Sequence, residues 1–265
     1  MSVALLRRHA LTAYALLAFG YLLLPIAVVI LFSFNNPAGR FNYTWEGFTL
    51  DNWRSPFGIP GLWPALKVSL EIAALASLAA TALGTLIALA LVRYRFRGGG
   101  ATNLLIFMPM TTPEIVMGAS LLALFLNLGL ATGFWTIVIA HITFNVSYVV
   151  VTVKARLVGF DRHLEEAAMD LGANEWATFW RVTVPLIAPG ILAASLLAFA
   201  LSVDDFVITN FNAGATITFP LYVWGAARVG VPPQVNVVGT MIFLAAVGGM
   251  LVNVLVQRRL AKGAA

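Results

Sequence analysis

Residues 161–189, DRHLEEAAMDLGANEWATFWRVTVPLIAP, decide how the rest of the chain is understood. Asp161, Arg162, Glu165, Glu166, Asp170, Glu175 and Arg181 make this the longest well-charged run in the sequence, with near-continuous apolar sequence on either side. Charges in such numbers lie in water or against another protein, not in hydrocarbon. The first part has helical spacing. Leu164, Ala167, Ala168 and Leu171 fall at i, i+3, i+4 and i+7, while Glu165, Glu166 and Asp170 lie off that face. Asp161 is placed to cap the helix, the glutamates suit the positive end of its dipole, and Gly172 is a natural stop. A second amphipathic piece follows with Trp176, Phe179 and Trp180, and Pro185 and Pro189 bracket the return to apolar sequence. Periodicity alone is also met by an ordinary surface helix in a water-facing loop.

The chain has 265 residues, of which 60% are hydrophobic and only 10% charged. Soluble domains carry roughly a quarter charged residues, so composition predicts an integral membrane protein, and its long apolar runs make it an all-α one. The absence of cysteine excludes disulfides and cysteine-ligated metal. The net charge of +5 does not point to nucleic acid, because the basic residues are not gathered into one patch.

Six apolar runs, at about 11–34, 66–92, 104–126, 134–153, 187–203 and 235–256, have the length that a bilayer of about 30 Å demands. They predict one transmembrane domain, 1–265. The first lacks the small-residue cleavage site of a signal peptide, and a kink is expected at Pro25. Residues 35–65 form a polar, aromatic loop expected to pack over the outer mouth. Ala76, Ala80, Gly84 and Ala88 give the second span a small-residue stripe for close helix packing. Pro109, Pro113 and Glu114 interrupt the third. After the fifth the chain continues into DDFVITNFNAG and a loop with Trp224, Arg228 and Pro232-Pro233. Six spans put both termini on one side. Arg7, Arg8, Arg93, Arg95, Arg97, Lys154, Arg156, Arg162, Arg181, Arg258, Arg259 and Lys262 share that side, against Arg40, Arg54, Lys67 and Arg228. The imbalance predicts that the termini and the loop 161–185 are cytoplasmic. No phosphate-binding loop, zinc spacing or nucleophile–base motif occurs, so no catalytic or metal-ligating residue is assigned.

A carboxylate at mid-bilayer costs about 2.5–3.5 kcal/mol on insertion scales. Glu114 is expected at the centre of the third span, and Asp204 and Asp205 at the end of the fifth. Ser195, Ser202, Asp205 and Thr209 trace one polar stripe towards them, and His141, Asn145, Tyr148 and Thr152 trace another along the fourth span. No Lys or Arg lies well inside any span. Two readings stay open: acids that are protonated or bonded to helix ends and other subunits, or a negatively lined pathway for an organic cation. Phe206, Phe211, Tyr222 and Trp224 suit the second by offering aromatic faces. His141 is expected to hydrogen-bond between helices.

Glu166-Ala167-Ala168, three residues, Gly172, nine residues and Val182-Thr183-Val184-Pro185 resembles the EAA loop of ABC importer permeases, with Val182 and Val184 in place of Ile and Leu. The resemblance implies a type I permease fold of six transmembrane helices in a bacterial cytoplasmic membrane. It implies that Glu165, Glu166, Ala167, Ala168, Asp170, Gly172 and Pro185 belong to a coupling loop that docks in an ATPase groove. It further implies a second permease subunit, two ATPase subunits holding ATP and Mg, and an extracytoplasmic binding protein. LSVDDFVITNFNAG, TLDNW and PEIVMG resemble the spermidine/putrescine branch of that family. This makes Glu114, Asp204, Asp205, Phe206, Tyr148 and Trp224 the candidate substrate pathway. Two alternatives remain: the same architecture carrying an iron complex or other amine, or an ion-coupled secondary transporter using Glu114 or His141 as proton relay. The EAA spacing and the lack of a paired inverted repeat argue against the latter.

Overall fold

The computed structural model describes residues 3–39, 41–94 and 96–263, with side-chain surroundings given from His9 to Leu251. Arg40 and Arg95 lie outside the described residues, so the charge count across the two faces rests on the sequence. The secondary structure is helical, with a lone antiparallel bridge between Asn35 and Phe48 among the described residues. Among the described residues, five helices are long and apolar enough to cross a membrane. These are α1 (Val3–Phe32), α3 (Leu62–Arg93), α6 (Phe134–Val158), the helix that becomes α9 (Val184–Asp204), and α12 (Pro233–Gly263). A sixth span arises if α4 (Gly99–Thr111) and α5 (Glu114–Asn127) are counted as one.

The third span is therefore not straight. α4 and α5 meet at 108°, because Pro113 withdraws a backbone donor and holds the chain extended at Thr112 (ψ 133°). Glu114 accordingly opens a helix instead of lying mid-span. A second departure follows the fifth span. Asp205 leaves helical dihedrals (φ −64°, ψ 119°), and the segments expected to continue the span and then loop back form two helices, α10 (Val207–Asn212) and α11 (Phe219–Val229).

The chain clusters into two compact units, Pro64–Tyr222 and the pair Met1–Trp63 with Val223–Ala265. In the larger unit Gly84 sits where α3 crosses α6, so close that a β-carbon there would lie 2.6 Å from Val149 Cγ1. The small-residue stripe thus serves a helix contact inside the chain. Ala80, Ala88, Val149, Val150, Val153 and Ile187 form the buried core around it. Gly118 performs the same service for α5 against α10, where a β-carbon would lie 2.8 Å from Phe211.

The smaller unit pairs α1 with α12, and its polar loop is closed by its own side chains. Buried Asn35 donates to Asn42 and to the Thr44 carbonyl, both at 2.7 Å, and accepts from the Glu46 amide. In the TLDNW piece a four-residue helix, α2 (Asp51–Arg54), lets Asn52 donate to the Ser33 and Asn35 carbonyls while Trp53 Nε1 donates to Ser33 Oγ. Each otherwise unpaired backbone group costs a kcal/mol or more when buried, so this lattice holds the loop in one conformation.

Candidate functional site

The segment 161–185 folds as α7 (His163–Asp170), a sharp turn, α8 (Glu175–Thr178), and a π-helical turn, Phe179–Thr183, that runs into α9. Arg162 already has helical dihedrals, and Asp161 Oδ1 accepts from the His163 amide at 3.0 Å, the bond an N-cap makes. The same oxygen meets His163 Nδ1 at 2.7 Å. That contact lowers the Asp161 pKa and raises that of His163.

At the other end Gly172 adopts φ +92°, a conformation that favours glycine. Its amide donates to Met169 O at 2.9 Å and the Ala173 amide donates to Ala168 O at 3.1 Å, the paired bonds of a Schellman stop. Asn174 then caps α8 by accepting from the Ala177 amide at 2.8 Å. The eight-residue helix is thus closed at both ends by local chemistry, which it needs because isolated short helices are marginal in water.

The apolar face of α7 is not covered by the chain. Leu171 is 90% exposed, Leu164 and Met169 are exposed, and so are Glu166, Ala167, Asp170 and Gly172, while Ala168 is half-buried. Trp176 and Trp180 continue the surface, stacked edge to face at 5.7 Å. Pro185 is exposed in the first turn of α9. Glu165 differs from the residues it was grouped with. Its carboxylate points inward, accepts from Thr183 Oγ1 and ion-pairs with Arg93 at the end of α3.

The membrane-embedded polar residues separate into two sets. Buried His141 gathers Ser202, Asp205 and Thr209: Nδ1 lies 2.6 Å from Ser202 Oγ, and Nε2 lies 2.9 Å from Thr209 Oγ1 and 3.2 Å from Asp205 Oδ2. One proton arrangement satisfies all of it. Ser202 donates to Nδ1, Nε2–H donates to Thr209 and Asp205, and the Thr209 hydroxyl donates to Asp205 at 2.8 Å. Asp205 also accepts from the Thr209 amide at 2.7 Å, so it caps α10. This carboxylate is spent on the α9–α10 corner, not offered to solvent. The two sequence stripes meet here, which spacing within each helix did not reveal. Asn145, fully buried on the same helix as His141, has no hydrogen-bond partner for its amide among the described residues.

Glu114 and Asp204 form the second set, and both are exposed. Glu114 sits at the N-terminus of α5, and half-buried Tyr148 packs its ring on Phe144 at 4.9 Å. Phe206 is half-buried beside Asp205 in the chain. Trp224 belongs to the other compact unit, on α11, and the Arg228 guanidinium lies 5.0 Å over its ring. Its π face is therefore already engaged with a cation of this chain. Among the described residues no cluster of three or more metal-ligating groups occurs.

A spermidine/putrescine transport system permease protein, PotC of Escherichia coli (strain K12), is 39% identical over 246 residues, covering 92% of each chain. The putrescine transport system permease protein PotI of the same strain is 40% identical over 242 residues, covering 88% of this chain and 85% of PotI. Among solved structures, a bacterial ABC transporter that imports the acidic polysaccharide alginate aligns with a TM-score of 0.66 over 97% of this chain and 98% of that one, at 20% identity. That likeness speaks to the fold alone. The family model of the binding-protein-dependent transport system inner membrane component matches residues 80–263, and the chain belongs to that family.

Proposed function

We propose that this chain is a permease subunit of an ATP-driven bacterial importer for polyamines, seated in the cytoplasmic membrane with both termini and the segment 161–185 on the cytoplasmic side. The observation that carries the substrate class is similarity spanning nearly the whole chain to permeases named for spermidine and putrescine. The energy enters through α7. Its exposed face, with small Ala167 and Ala168 beside acidic Glu166 and Asp170, suits a groove in an ATPase subunit, and ATP and Mg are held there, not in this chain. A second, similar permease subunit, two ATPase subunits and an extracytoplasmic binding protein complete the assembly. ATP-driven approach of the ATPases pushes α7 and rocks the helices around a central pathway.

Within that pathway Glu114 and Asp204 are the carboxylates left free to meet ammonium groups, with Tyr148 and Phe206 covering the methylene stems. Asp205 acts indirectly, by holding the α9–α10 corner. The test is purification of the intact complex, a ligand screen on the binding protein that accompanies it, and uptake of labelled spermidine into proteoliposomes. Glu114→Gln or Asp204→Asn should raise KM about tenfold, the loss of about 1.5 kcal/mol of charge-assisted bonding. A binding protein that takes only an anion or a sugar would overturn the substrate class and leave the importer reading standing.

A further inference from the structure

The inward turn of Glu165 joins three elements that lie far apart in the chain. Arg93 is the last residue of α3, Glu165 lies in the first turn of α7, and Thr183 ends the π-helical turn that feeds α9. Arg93 Nη2 donates to Glu165 Oε1 and, at 3.3 Å, to Thr183 Oγ1, while the Thr183 hydroxyl donates to the same carboxylate oxygen. A second clasp runs beside it, where Arg162 Nη2 donates to the Val92 carbonyl at 2.9 Å. That carbonyl is one of those a helix end leaves without an internal partner.

The setting distinguishes this cluster from a surface ion pair. The Glu165 side chain is 15% exposed and that of Arg93 29%, and Thr183 is buried. By contrast Lys67 with Glu71 and Arg54 with Asp51 are largely in water, where such pairs contribute little. A half-buried pair of this kind with a shared hydroxyl is geometrically defined, and removing one partner strands the other's charge. The joint ties α7 directly to the ends of both α3 and α9, in addition to the turns at 160–162 and 171–174 that connect it along the chain.

We propose that Arg93, Glu165 and Thr183 form the joint through which displacement of α7 is passed to α3 and α9, with Arg162 steadying it from the α7 side. They are positioning residues: Glu165 belongs to the inner, load-transmitting side of α7, and docking falls to Glu166, Ala167 and Asp170. This rests on the reading of α7 as the ATPase-facing helix. It places the push on two membrane helices at once, one on each side of the loop, so that they move as a pair.

The test uses the full complex in proteoliposomes, with Arg93→Glu, Glu165→Arg and the double exchange R93E/E165R. Uptake of labelled spermidine, ATP hydrolysis and retention of the ATPase subunits on purification are measured together. Each single variant should retain the ATPase subunits and hydrolyse ATP, yet transport about tenfold less per ATP, and the double exchange should recover at least half of the lost coupling. Thr183→Val, which keeps the shape and removes the hydroxyl, should lower coupling in the same sense. Single variants that transport normally per ATP would overturn the joint, and so would a double exchange no better than either single. Failure of the unaltered chain to hold any ATPase subunit would instead overturn the reading of α7 on which the joint rests.

Discussion

Replacement of Gly172 separates backbone strain from bulk. Its φ of +92° carries the Schellman turn that ends α7, yet a β-carbon there meets nothing within 4 Å. Substitution therefore costs conformation, not collision. For alanine the left-handed region costs about 1–2 kcal/mol, for asparagine less, and for β-branched valine more. With the short helix marginal by itself, about 1.4 kcal/mol shifts the population of the correctly ended α7 about tenfold. Coupled uptake per ATP in the reconstituted complex should fall in the order Gly172, Gly172→Asn, Gly172→Ala, Gly172→Val, with membrane insertion unchanged. If size in the docking groove mattered instead, alanine would outperform asparagine. That inverted order would refute the argument from strain, and equal uptake by all four would remove Gly172 from the coupling path.

Elsewhere, Gly84→Ala should lower the thermal stability of the detergent-solubilised chain by about 1–3 kcal/mol through overpacking against Val149, read as an earlier loss of the monodisperse peak on heating. Asp205→Asn and His141→Ala should each cost about 1–3 kcal/mol by leaving members of a buried hydrogen-bond network unsatisfied, so both should reduce folded yield before any effect on substrate affinity. A smaller response follows from pH at the start of α7. The raised His163 pKa means its contribution is present below the ordinary histidine range and fades as pH climbs through the folded value. The lowered Asp161 pKa means its contribution fades only in acid. Hydrogen exchange in the first turn of α7, corrected for intrinsic rates, should thus rise as pH climbs above the ordinary histidine range, and Asp161→Asn should abolish the dependence.

Much of this architecture was legible because hydrophobic runs and the wording of one loop are local signals. The turn at Gly172, the helix carrying Ala167 and Ala168, and the small-residue stripe through Gly84 all follow from spacing within a single segment. What spacing does not carry is pairing between segments. Glu165 was grouped with its neighbours because Arg93, its partner, lies 72 positions away. Both readings of Asp205 stay open in the sequence for the same reason: His141, Ser202 and Thr209 converge on it from different helices. The 108° bend at Pro113 was announced by two prolines, but their effect on the position of Glu114 depends on backbone geometry that composition does not specify. Helices α10 and α11 were missed because each is short and follows a turn, where apolar length is a poor guide.

Coupled transport depends on α7 meeting an ATPase, and the cysteine-free sequence makes that directly measurable. Single cysteines at Ala167 and Ala168 in the intact complex, labelled with a short maleimide–benzophenone reagent and irradiated in the presence and absence of ATP, should cross-link to the ATPase subunit and resist impermeant reagent added from outside. Labelling from the external medium, or the absence of any adduct with a neighbouring subunit, would contradict it.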